Sequence, residues 1–358
     1  MRAVVVEQFG TVPLSREVPE PVPGEGDAVV RVGATGVCRS DWHAWMGHDP
    51  DVVLPHVPGH EFAGVVEQVG AGVRDRRPGV RVTAPFVNAC GRCPMCAAGQ
   101  HQVCLDQRQP GFTHWGSFAE LVVVERADVN LVALPDHLDD VGAASLGCRL
   151  ATAFRAVVDV GRVRPGEWVA VHGCGGVGLS AVLVAVAAGA RVVAVDVVPA
   201  ALDHAARLGA EVVVAAAGRS PLEAADAVRT ASAGGADVSL DALGSEATCT
   251  ASIAGLRPRG RHVQVGLLPG AAGLPRVPMH LVVAGELQVL GSHGMAAHDY
   301  PRLLGLVAAG RIRPGELVSR TIPLARAGQA LADLGASADL GESADGKRSG
   351  ITVVLPQE

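Results

Sequence analysis

The sequence has almost no lysine. Lys347 is the only one, and the other basic residues are arginines scattered along the chain, which we interpret as codon bias because they form no basic stripe. The net charge is -6 and the isoelectric point is near 6.1. A chain without a basic face lacks the electrostatic footprint with which proteins bind nucleic acid or an anionic membrane surface. We therefore expect neither partner.

Long apolar runs are also missing. The longest, residues 179–188, is interrupted by Ser180 and falls short of the roughly 20 apolar residues that span a bilayer. The start of the chain carries Glu7 and has no apolar core of the kind found in a signal peptide. We expect a soluble, cytoplasmic protein, and cysteines in that compartment bind metal more often than they form disulfides.

The apolar content is nevertheless high. Hydrophobic residues make up 49% of a chain of 358 residues, which is enough to bury two cores. In the first 150 residues, short β-rich runs between glycines and prolines favour a small barrel or sandwich. These predicted strands are 3–6, 28–32, 62–69, 80–84 and 118–124.

Strand and helix alternate from about residue 152, a pattern typical of a parallel sheet with helices on both faces. The predicted strands are 168–171, 191–195, 212–215, 238–240, 262–265 and 287–290, and the predicted helices include 179–188 and 200–208. Beyond Gly291, a helix at 300–309 and strands at 317–322 and 351–355 are expected to return to the first domain. We interpret the run 334–350, which is rich in Gly, Ser, Ala and Asp, as a surface loop.

A glycine-rich loop joins the predicted strand 168–171 to the following helix. Gly173 permits a tight turn, Gly175 lets a pyrophosphate approach the backbone, and Gly178 lets helix and strand pack closely, with the helix N-terminus facing the phosphates. Asp196 closes the next strand 18 residues after Gly178. A carboxylate there accepts both hydroxyls of an adenosine ribose and repels a 2′-phosphate, so we predict NAD rather than NADP. Further candidates for cofactor binding are Gly176, Val177, Val265 and Gly266.

The alternative interpretation of this loop is a glycine-rich turn followed by an ordinary aspartate at a strand end. The flanking strand and helix favour the dinucleotide site.

Four cysteines follow the spacing C-x2-C-x2-C-x7-C. Four thiolates this close in sequence can complete a tetrahedral shell with no open position, which is the structural type of zinc site. A redox pair, free buried thiols and an iron–sulfur cluster are the alternatives. The four residues are Cys90, Cys93, Cys96 and Cys104.

A second group of metal-binding residue types is dispersed along the chain. It comprises Cys38, the pair His60 and Glu61, and Cys148. Taken singly, each could be a buried thiol or a hydrogen-bonded histidine, and spacing alone does not unite them.

The order of these motifs along essentially the whole chain resembles the zinc-containing medium-chain alcohol dehydrogenases. The resemblance implies that Cys38, His60 and Cys148 bind a catalytic zinc, with Glu61 as an adjacent carboxylate that is a direct ligand in some states. It implies an α/β fold with a GroES-like, β-rich catalytic domain at 1–150 and 292–358. The remaining residues, 151–291, would form a Rossmann domain with a doubly wound parallel sheet that binds NAD. The active site would lie in the cleft between the two domains.

The resemblance also assigns roles around the catalytic zinc. Ser40 is placed like the hydroxyl that takes up the substrate proton, and His43 like the surface histidine that ends the relay, although His43 could be an ordinary loop histidine. Arg39 is expected to contact the cofactor pyrophosphate. Because His293 lies where many relatives have an arginine for the same phosphates, cofactor binding is expected to depend more on Arg39. Asp41 could orient His60 or cap a helix.

Several aromatic residues come from stretches that border the substrate cleft in relatives, or else pack in the core. They are Phe86, Trp115, Trp42 and Trp45. If they line the cleft, they favour hydrophobic or aromatic primary alcohols.

Together these features predict a zinc-dependent oxidoreductase with two zinc ions per chain. It would transfer hydride reversibly between an alcohol and NAD, giving the aldehyde or ketone, and work as a homodimer or homotetramer. The alternatives are a polyol or sugar-alcohol dehydrogenase of the same superfamily, and a non-catalytic NAD-binding zinc protein.

Overall fold

A computed structural model describes residues 1–268, 274–340 and 349–358, and of residues 335–340 it describes only the backbone. The described residues form two compact units. The first contains residues 1–151, 294–340 and 351–358, and the second contains 152–268, 274–293 and 349–350.

Strands and helices are numbered here in chain order. The strands are β1 (Arg2–Val5), β2 (Leu14–Glu17), β3 (Ala28–Gly36), β4 (Phe62–Val69), β5 (Arg81–Thr83), β6 (Leu121–Val124), β7 (Val132–Ala133), β8 (Trp168–His172), β9 (Arg191–Asp196), β10 (Val212–Ala215), β11 (Ala236–Asp241), β12 (Leu256–Gln264), β13 (Gln288–Gly291), β14 (Val318–Pro323) and β15 (Ile351–Leu355). The helices are α1 (Arg39–Trp45), α2 (Pro94–Ala97), α3 (Ala127–Asn130), α4 (Asp140–Ala144), α5 (Arg149–Arg155), α6 (Gly176–Ala187), α7 (Pro199–Arg207), α8 (Pro221–Ala231), α9 (Glu246–Ala254), α10 (Met279–Ala284), α11 (Tyr300–Ala308) and α12 (Ala327–Leu340).

The first unit is built on a mainly antiparallel sheet. Its strand order is β14-β15-β3-β4-β5-β7, with β6 also paired to β3, and β1 and β2 form a separate hairpin. Along β3, Val30 and Val32 are buried while Arg31 between them is exposed, the alternation expected of a strand with one face on a core. That core includes Phe62 and Val82.

The second unit contains a six-stranded sheet with the order β10-β9-β8-β11-β12-β13, in which every neighbouring pair is parallel. The central strand β8 is buried on both faces, because Val169, Ala170 and Val171 are all 0% exposed. Strand order reverses between β8 and β11. This switch point places the loops after β8, β9 and β11 at one edge of the sheet, where dinucleotides bind in such folds.

The predicted loop at 334–350 is wrong in its first part. Residues up to Leu340 belong to α12, because Ala327, Ala330 and Leu331 recur at helical spacing and are buried in the first unit's core. Alanine is the strongest helix former, and a run rich in it continues the helix once it has begun. Residues 341–348 of the predicted loop lie outside the described part of the chain.

Other strand predictions differ from the structure at their ends. The strand predicted at 262–265 begins at Leu256 and ends at Gln264, and the strand predicted at 118–124 is limited to Leu121–Val124. Among the described residues, every helix is too short or too polar to cross a membrane.

Candidate metal centres and nucleotide loop

The four clustered cysteines converge in a short lobe of the first unit. Helix α2 begins at Pro94 directly after Cys93, which brings the Cys96 backbone N–H within 3.5 Å of the Cys93 sulfur. Sulfur atoms lie 3.5 Å apart for Cys93 and Cys96, 3.8 Å for Cys93 and Cys104, and 3.9 Å for Cys90 and Cys96. Tetrahedral zinc with Zn–S bonds of about 2.3 Å requires sulfur–sulfur distances of about 3.8 Å. These three distances lie close to that value, so the four sulfurs fit a zinc ion.

Backbone N–H groups supply the electrostatics of this lobe. The N–H groups of Arg92 and Cys93 donate to the Cys90 sulfur and lower its pKa. Those of Cys96 and Leu105 lower the pKa of Cys93 to about 6. Because the thiolate is the form that binds metal, these donors favour a bound cation.

The dispersed ligand candidates also converge, at a second site in the first unit. Cys38 precedes α1, His60 and Glu61 precede β4, and Cys148 precedes α5. Their ligand atoms all lie within 4.8 Å of one another. Neighbouring Cys148 lowers the pKa of Cys38 well below its ordinary value. Two sulfurs and an imidazole nitrogen so close together form a donor set suited to zinc with a position left for a small molecule.

Asp41 joins the helix and the metal centre. Its Oδ1 accepts hydrogen bonds from the ring Nδ1 of His60 at 2.8 Å and from the Gly59 N–H at 3.1 Å. Its Oδ2 accepts from the Cys38 N–H at 2.9 Å, which completes a capping box at the start of α1. Both predicted roles are therefore present. Because Nδ1 is hydrogen-bonded to Asp41, Nε2 is the ring nitrogen of His60 that remains available to bind a metal.

Glu61 faces an arginine that the sequence analysis did not single out. The Arg149 guanidinium donates to both Glu61 oxygens, with its Nε 2.8 Å from Oε1 and 2.7 Å from Oε2, and the Arg149 N–H donates to Oε1 at 3.0 Å. Glu61 is 0% exposed and Arg149 5%. An arginine next to a cysteine in the apolar stretch 146–154 was the available signal, because a buried arginine needs a partner.

Ser40 and His43 lie on α1, the helix that begins directly after Cys38. The Ser40 hydroxyl is 3.8 Å from the Cys38 sulfur. His43 is half-buried. Its pKa is lowered mainly by burial and, to a smaller extent, by the charges of His48 and Arg39. Arg39 is exposed and its guanidinium lies 5.3 Å from the centre of the Trp42 ring.

The predicted aromatic residues fall into different places. Phe86 lies beside His60, with ring centres 6.2 Å apart, and Phe112, which the sequence analysis missed, lies closer at 5.3 Å. Trp45 packs in the first unit's core and donates to the Thr11 carbonyl at 2.7 Å, as its alternative interpretation predicted. Trp115 is partly exposed and donates to the Pro55 carbonyl.

The glycine loop of the second unit has the backbone its sequence predicts. Gly173 has φ +85°, and a Cβ on Gly178 would lie 1.7 Å from the Gly173 carbonyl oxygen. A Cβ on Gly175, by contrast, would meet nothing within 4 Å. Gly176 and Val177 open α6, so their N–H groups belong to the first turn of a helix, where anions bind.

Asp196 ends β9 beside this loop. Its carboxylate accepts from the Cys174 N–H at 2.5 Å and from the Val198 N–H at 2.8 Å. Next to it is a cavity of about 160 Å³ lined by Asp196, Ala216, Arg219, Leu243 and Ala251, among others. A carboxylate and an apolar-walled cavity beside a glycine loop fit the ribose and base of a dinucleotide.

The other cofactor candidates lie at the same edge of the sheet. The N–H groups of Val265 and Gly266 both donate to the Asp241 carbonyl, at 3.0 and 2.8 Å. Cys174 and Cys249 are buried at 1% and 2% exposure, consistent with small core residues. The pKa of His293 is lowered mainly by burial and, to a smaller extent, by the positive charge of Arg155.

Two family models match the chain: the alcohol dehydrogenase GroES-like domain over residues 24–136 and the zinc-binding dehydrogenase model over residues 176–309. An alcohol dehydrogenase of Geobacillus stearothermophilus is 36% identical over 317 residues, covering 87% of this chain and 90% of the relative. The L-galactonate-5-dehydrogenase of Escherichia coli strain K12 is 32% identical, covering 87% and 88%. The structure of an alcohol dehydrogenase from Thermus sp. ATN1 superposes with a TM-score of 0.87 at 34% identity, covering 99% of both chains.

Proposed function

Since the chain belongs to the zinc-dependent medium-chain alcohol dehydrogenases, we propose that it transfers hydride between an apolar primary alcohol and NAD. The general class, a dehydrogenase with a GroES-like and a Rossmann-type domain and with zinc and a nicotinamide dinucleotide as cofactors, follows from family membership. One observation carries the catalytic part of the proposal. The ligand atoms of Cys38, His60 and Cys148 converge within 4.8 Å beside the Ser40 hydroxyl.

Zinc at this site supplies a Lewis acid that makes a bound alcohol easier to ionise. The chain's own residues prepare the site. Asp41 fixes the ring orientation and tautomer of His60 through the bond to Nδ1. Arg149 neutralises Glu61, so a buried carboxylate adds no uncompensated negative charge beside two thiolates.

Ser40 and His43 are proposed to move the proton that the alcohol releases. Ser40 accepts it at Oγ, which lies 3.8 Å from the Cys38 sulfur, and releases its own hydroxyl proton towards His43. His43 has a lowered pKa, so its imidazole is neutral and able to accept a proton at neutral pH.

NAD is proposed as the preferred dinucleotide because the Asp196 carboxylate lies beside the glycine loop, where it contacts the Cys174 N–H. Its two oxygens each accept one backbone N–H and keep lone pairs for ribose hydroxyls. A 2′-phosphate would meet this carboxylate at close range. Asp196→Gly should therefore weaken the binding of NAD and strengthen the binding of NADP in a direct titration. An unchanged preference would show that Asp196 does not contact the ribose.

An apolar or aromatic primary alcohol is the proposed substrate, because the rings of Phe86 and Phe112 lie beside His60. A polyol or sugar alcohol is the second candidate, favoured by the similarity to L-galactonate-5-dehydrogenase. Apolar rings give a polyol few hydrogen-bond partners.

We also propose that residues 1–150 and 292–358 form the catalytic domain and 151–291 the NAD-binding domain. The chain is proposed to act in the cytoplasm as a homodimer or homotetramer. The eight cysteines, all in the described part of the chain, form no disulfide, which suits a reducing compartment.

The test measures reduced-nicotinamide absorbance with aromatic, aliphatic and polyhydric alcohols, with NAD or NADP, and with or without a chelator. Chelator-sensitive turnover of apolar alcohols with NAD is expected, and Cys38→Ala should abolish it. A faster rate with polyols would favour the second candidate. Bound zinc and bound NAD without turnover of any alcohol would instead support the non-catalytic alternative.

A further inference from the structure

His43 has a second histidine against it. The Nδ1 atoms of His43 and His48 lie 3.1 Å apart, and the ring centres are 5.4 Å apart. The Trp42 ring stands edge-on to both, 4.9 Å from His43 and 5.6 Å from His48. His48 is exposed, whereas His43 is half-buried. The pair therefore leads from a partly buried position to solvent.

The end of α1 determines this contact. The His48 N–H donates to the His43 carbonyl at 3.0 Å and the Gly47 N–H to the Ala44 carbonyl at 3.0 Å. These two bonds form a Schellman motif, in which the residue after the glycine turns back over the last helical turn. Gly47 has φ +74°, and a Cβ there would lie 3.1 Å from the ring of Phe9. The backbone motif at Gly47 thus places His48 next to the last turn of α1, which contains His43.

Two ring nitrogens at this distance must share one proton, because two lone pairs facing each other at 3.1 Å repel. The pair therefore has complementary tautomers, with one Nδ1 protonated and the other accepting. When the proton lies on His43, its Nε2 is the basic nitrogen and points away from His48. An imidazole in this state can take a proton at one nitrogen while releasing another from the opposite one.

We propose that His48 is the outer proton acceptor of the relay in which the proposed function places His43. His43 gains a proton at Nε2, and its Nδ1–H bond breaks as a new N–H bond forms at Nδ1 of His48. His48, now an imidazolium, loses its Nε2 proton to water or buffer. No electrons are transferred, the reverse reaction runs the same steps backwards, and exchange with water restores the starting tautomers.

The surrounding charges favour outward transfer. Burial, then His48 and Arg39, disfavour the protonated form of His43, while Cys38 favours it. Helix α12 packs against α1, and the Asp333 carboxylate on α12 accepts a hydrogen bond from Gln329. Asp49 follows His48 in sequence, and its Oδ1 accepts from the Asp51 N–H. Since His48 acts through His43, it is a positioning and proton-accepting residue rather than a catalytic one.

The first test is independent of turnover. In zinc-loaded protein without NAD, NMR titration of the His43 ring nitrogens should show a higher pKa in His48→Ala than in the wild type, because the charge repulsion between two protonated rings is removed. The exposed His137 gives a matched control, and His137→Ala should leave the His43 titration unchanged. An unchanged His43 pKa in His48→Ala would overturn the pair.

The second test separates proton acceptance from positioning. His48→Asn can still hydrogen-bond Nδ1 of His43 but cannot carry a proton, whereas His48→Ala can do neither. Both should lower kcat for alcohol oxidation by about fivefold near pH 6, less than the 10²-fold or more of a direct acid–base residue because water remains as a substitute. The loss should vanish near pH 9, where hydroxide replaces His48, and added imidazole should rescue both variants at pH 6.

If His48→Asn has the wild-type rate, His48 only positions His43 and does not accept its proton. A loss of kcat that is independent of pH would overturn proton acceptance as well. Turnover of no alcohol by the wild type would contradict the proposed function itself. The NMR titration distinguishes the two failures, because it needs no turnover.

Discussion

At the scale of single residues, the Asp41 carboxylate has three distinct tasks. One carboxylate caps the helix that carries Cys38, holds the Gly59 N–H and orients His60. The capping box and the metal centre are therefore coupled. A change at Asp41 affects the position of two ligands at once.

Asp41→Asn should weaken zinc binding at this site about 10- to 100-fold, the usual effect of losing a partner of a zinc-bound histidine. The amide has one oxygen, so its NH₂ group must face the His60 N–H or the N–H of Cys38. Zinc content measured against a chelator of graded strength gives the affinity. Asp139→Asn, which changes the cap of α4 through the Gly142 N–H, is the matched control and should keep both zinc ions. Equal zinc loss in the two variants would show that Asp41 acts only as a cap.

His172 is a buried imidazole in the second unit. It is 1% exposed, and its Nε2 has no hydrogen-bond partner among the described residues. Burial, and secondarily His262, lowers its pKa to about 3. In an unfolded chain the pKa of histidine is about 6.5. The unfolded state therefore takes up a proton, as pH falls below 6.5, that the folded state refuses.

Keeping His172 neutral costs the folded state no free energy of unfolding above pH 6.5. Between pH 6.5 and pH 3 the free energy of unfolding falls progressively, because only the unfolded chain takes up the proton. At pH 5 the loss is about 2 kcal/mol, from 1.36 kcal/mol per pH unit. His172→Phe should remove it, so its free energy of unfolding should fall less between pH 7.5 and pH 5 than that of the wild type. His137→Phe, at an exposed site, should behave like the wild type. Parallel pH profiles for wild type and His172→Phe would contradict the buried neutral state.

The sequence predicted residue types at the candidate sites better than it predicted their partners. Spacing was enough for the clustered cysteines, because all four lie within one short lobe. Arg149 and Phe112 were missed because what makes them important is contact with Glu61 and His60, which are distant in sequence. His48 was missed for a different reason: its contact with His43 depends on a backbone motif at Gly47.

At the scale of elements, the glycine loop shows that neighbouring glycines serve different purposes. A side chain at Gly178 would collide with the Gly173 carbonyl oxygen, whereas one at Gly175 would meet only open space within the protein. Gly178 is therefore required by the fold. Gly175 is not, and the space beside it is available to a ligand.

Gly178→Ala should therefore destabilise the second unit by several kcal/mol or prevent its folding, since the backbone must shift to relieve the contact. Gly175→Ala should leave the thermal midpoint unchanged while weakening NAD binding at least tenfold, because the methyl group occupies the approach of the pyrophosphate. Differential scanning calorimetry and NAD titration on each variant measure the two effects. Unimpaired NAD binding by Gly175→Ala would exclude the loop as the phosphate site.

Elements were predictable where apolar residues recur with a clear period. The strands Phe62–Val69, Val212–Ala215 and Ile351–Leu355 match their predicted ranges. The strand Leu14–Glu17 was missed, because all four of its residues are exposed and give no apolar signal. The end of α12 was mistaken for a loop because Gly and Ser suggested a turn, although the buried face of the helix had already fixed its direction.

At the scale of the whole molecule, the second unit has an apolar surface with no cover among the described residues. Helix α10 has the sequence MHLVVA, yet none of its residues is buried, and Met279 and Val283 are 54% and 75% exposed. It is followed in the chain by β13, an edge strand whose neighbour in the described sheet is β12. Exposed edge strands are normally protected, and apolar patches of this kind mark interfaces. We therefore place the proposed self-association at this edge.

Two copies related by a twofold axis would cover the same surface on each other. Val289 on β13 and Val213 on β10 lie on the two opposite edge strands of one sheet, and each is 42% exposed, which makes them a matched pair. Val289→Lys should shift the protein from dimer or tetramer to a smaller species in sedimentation-velocity experiments, because a charge at an apolar interface must be desolvated. Val213→Lys should leave the sedimentation coefficient of the wild type unchanged. A monomeric wild type, or dissociation by Val213→Lys alone, would show that the β13 edge is not where the copies meet.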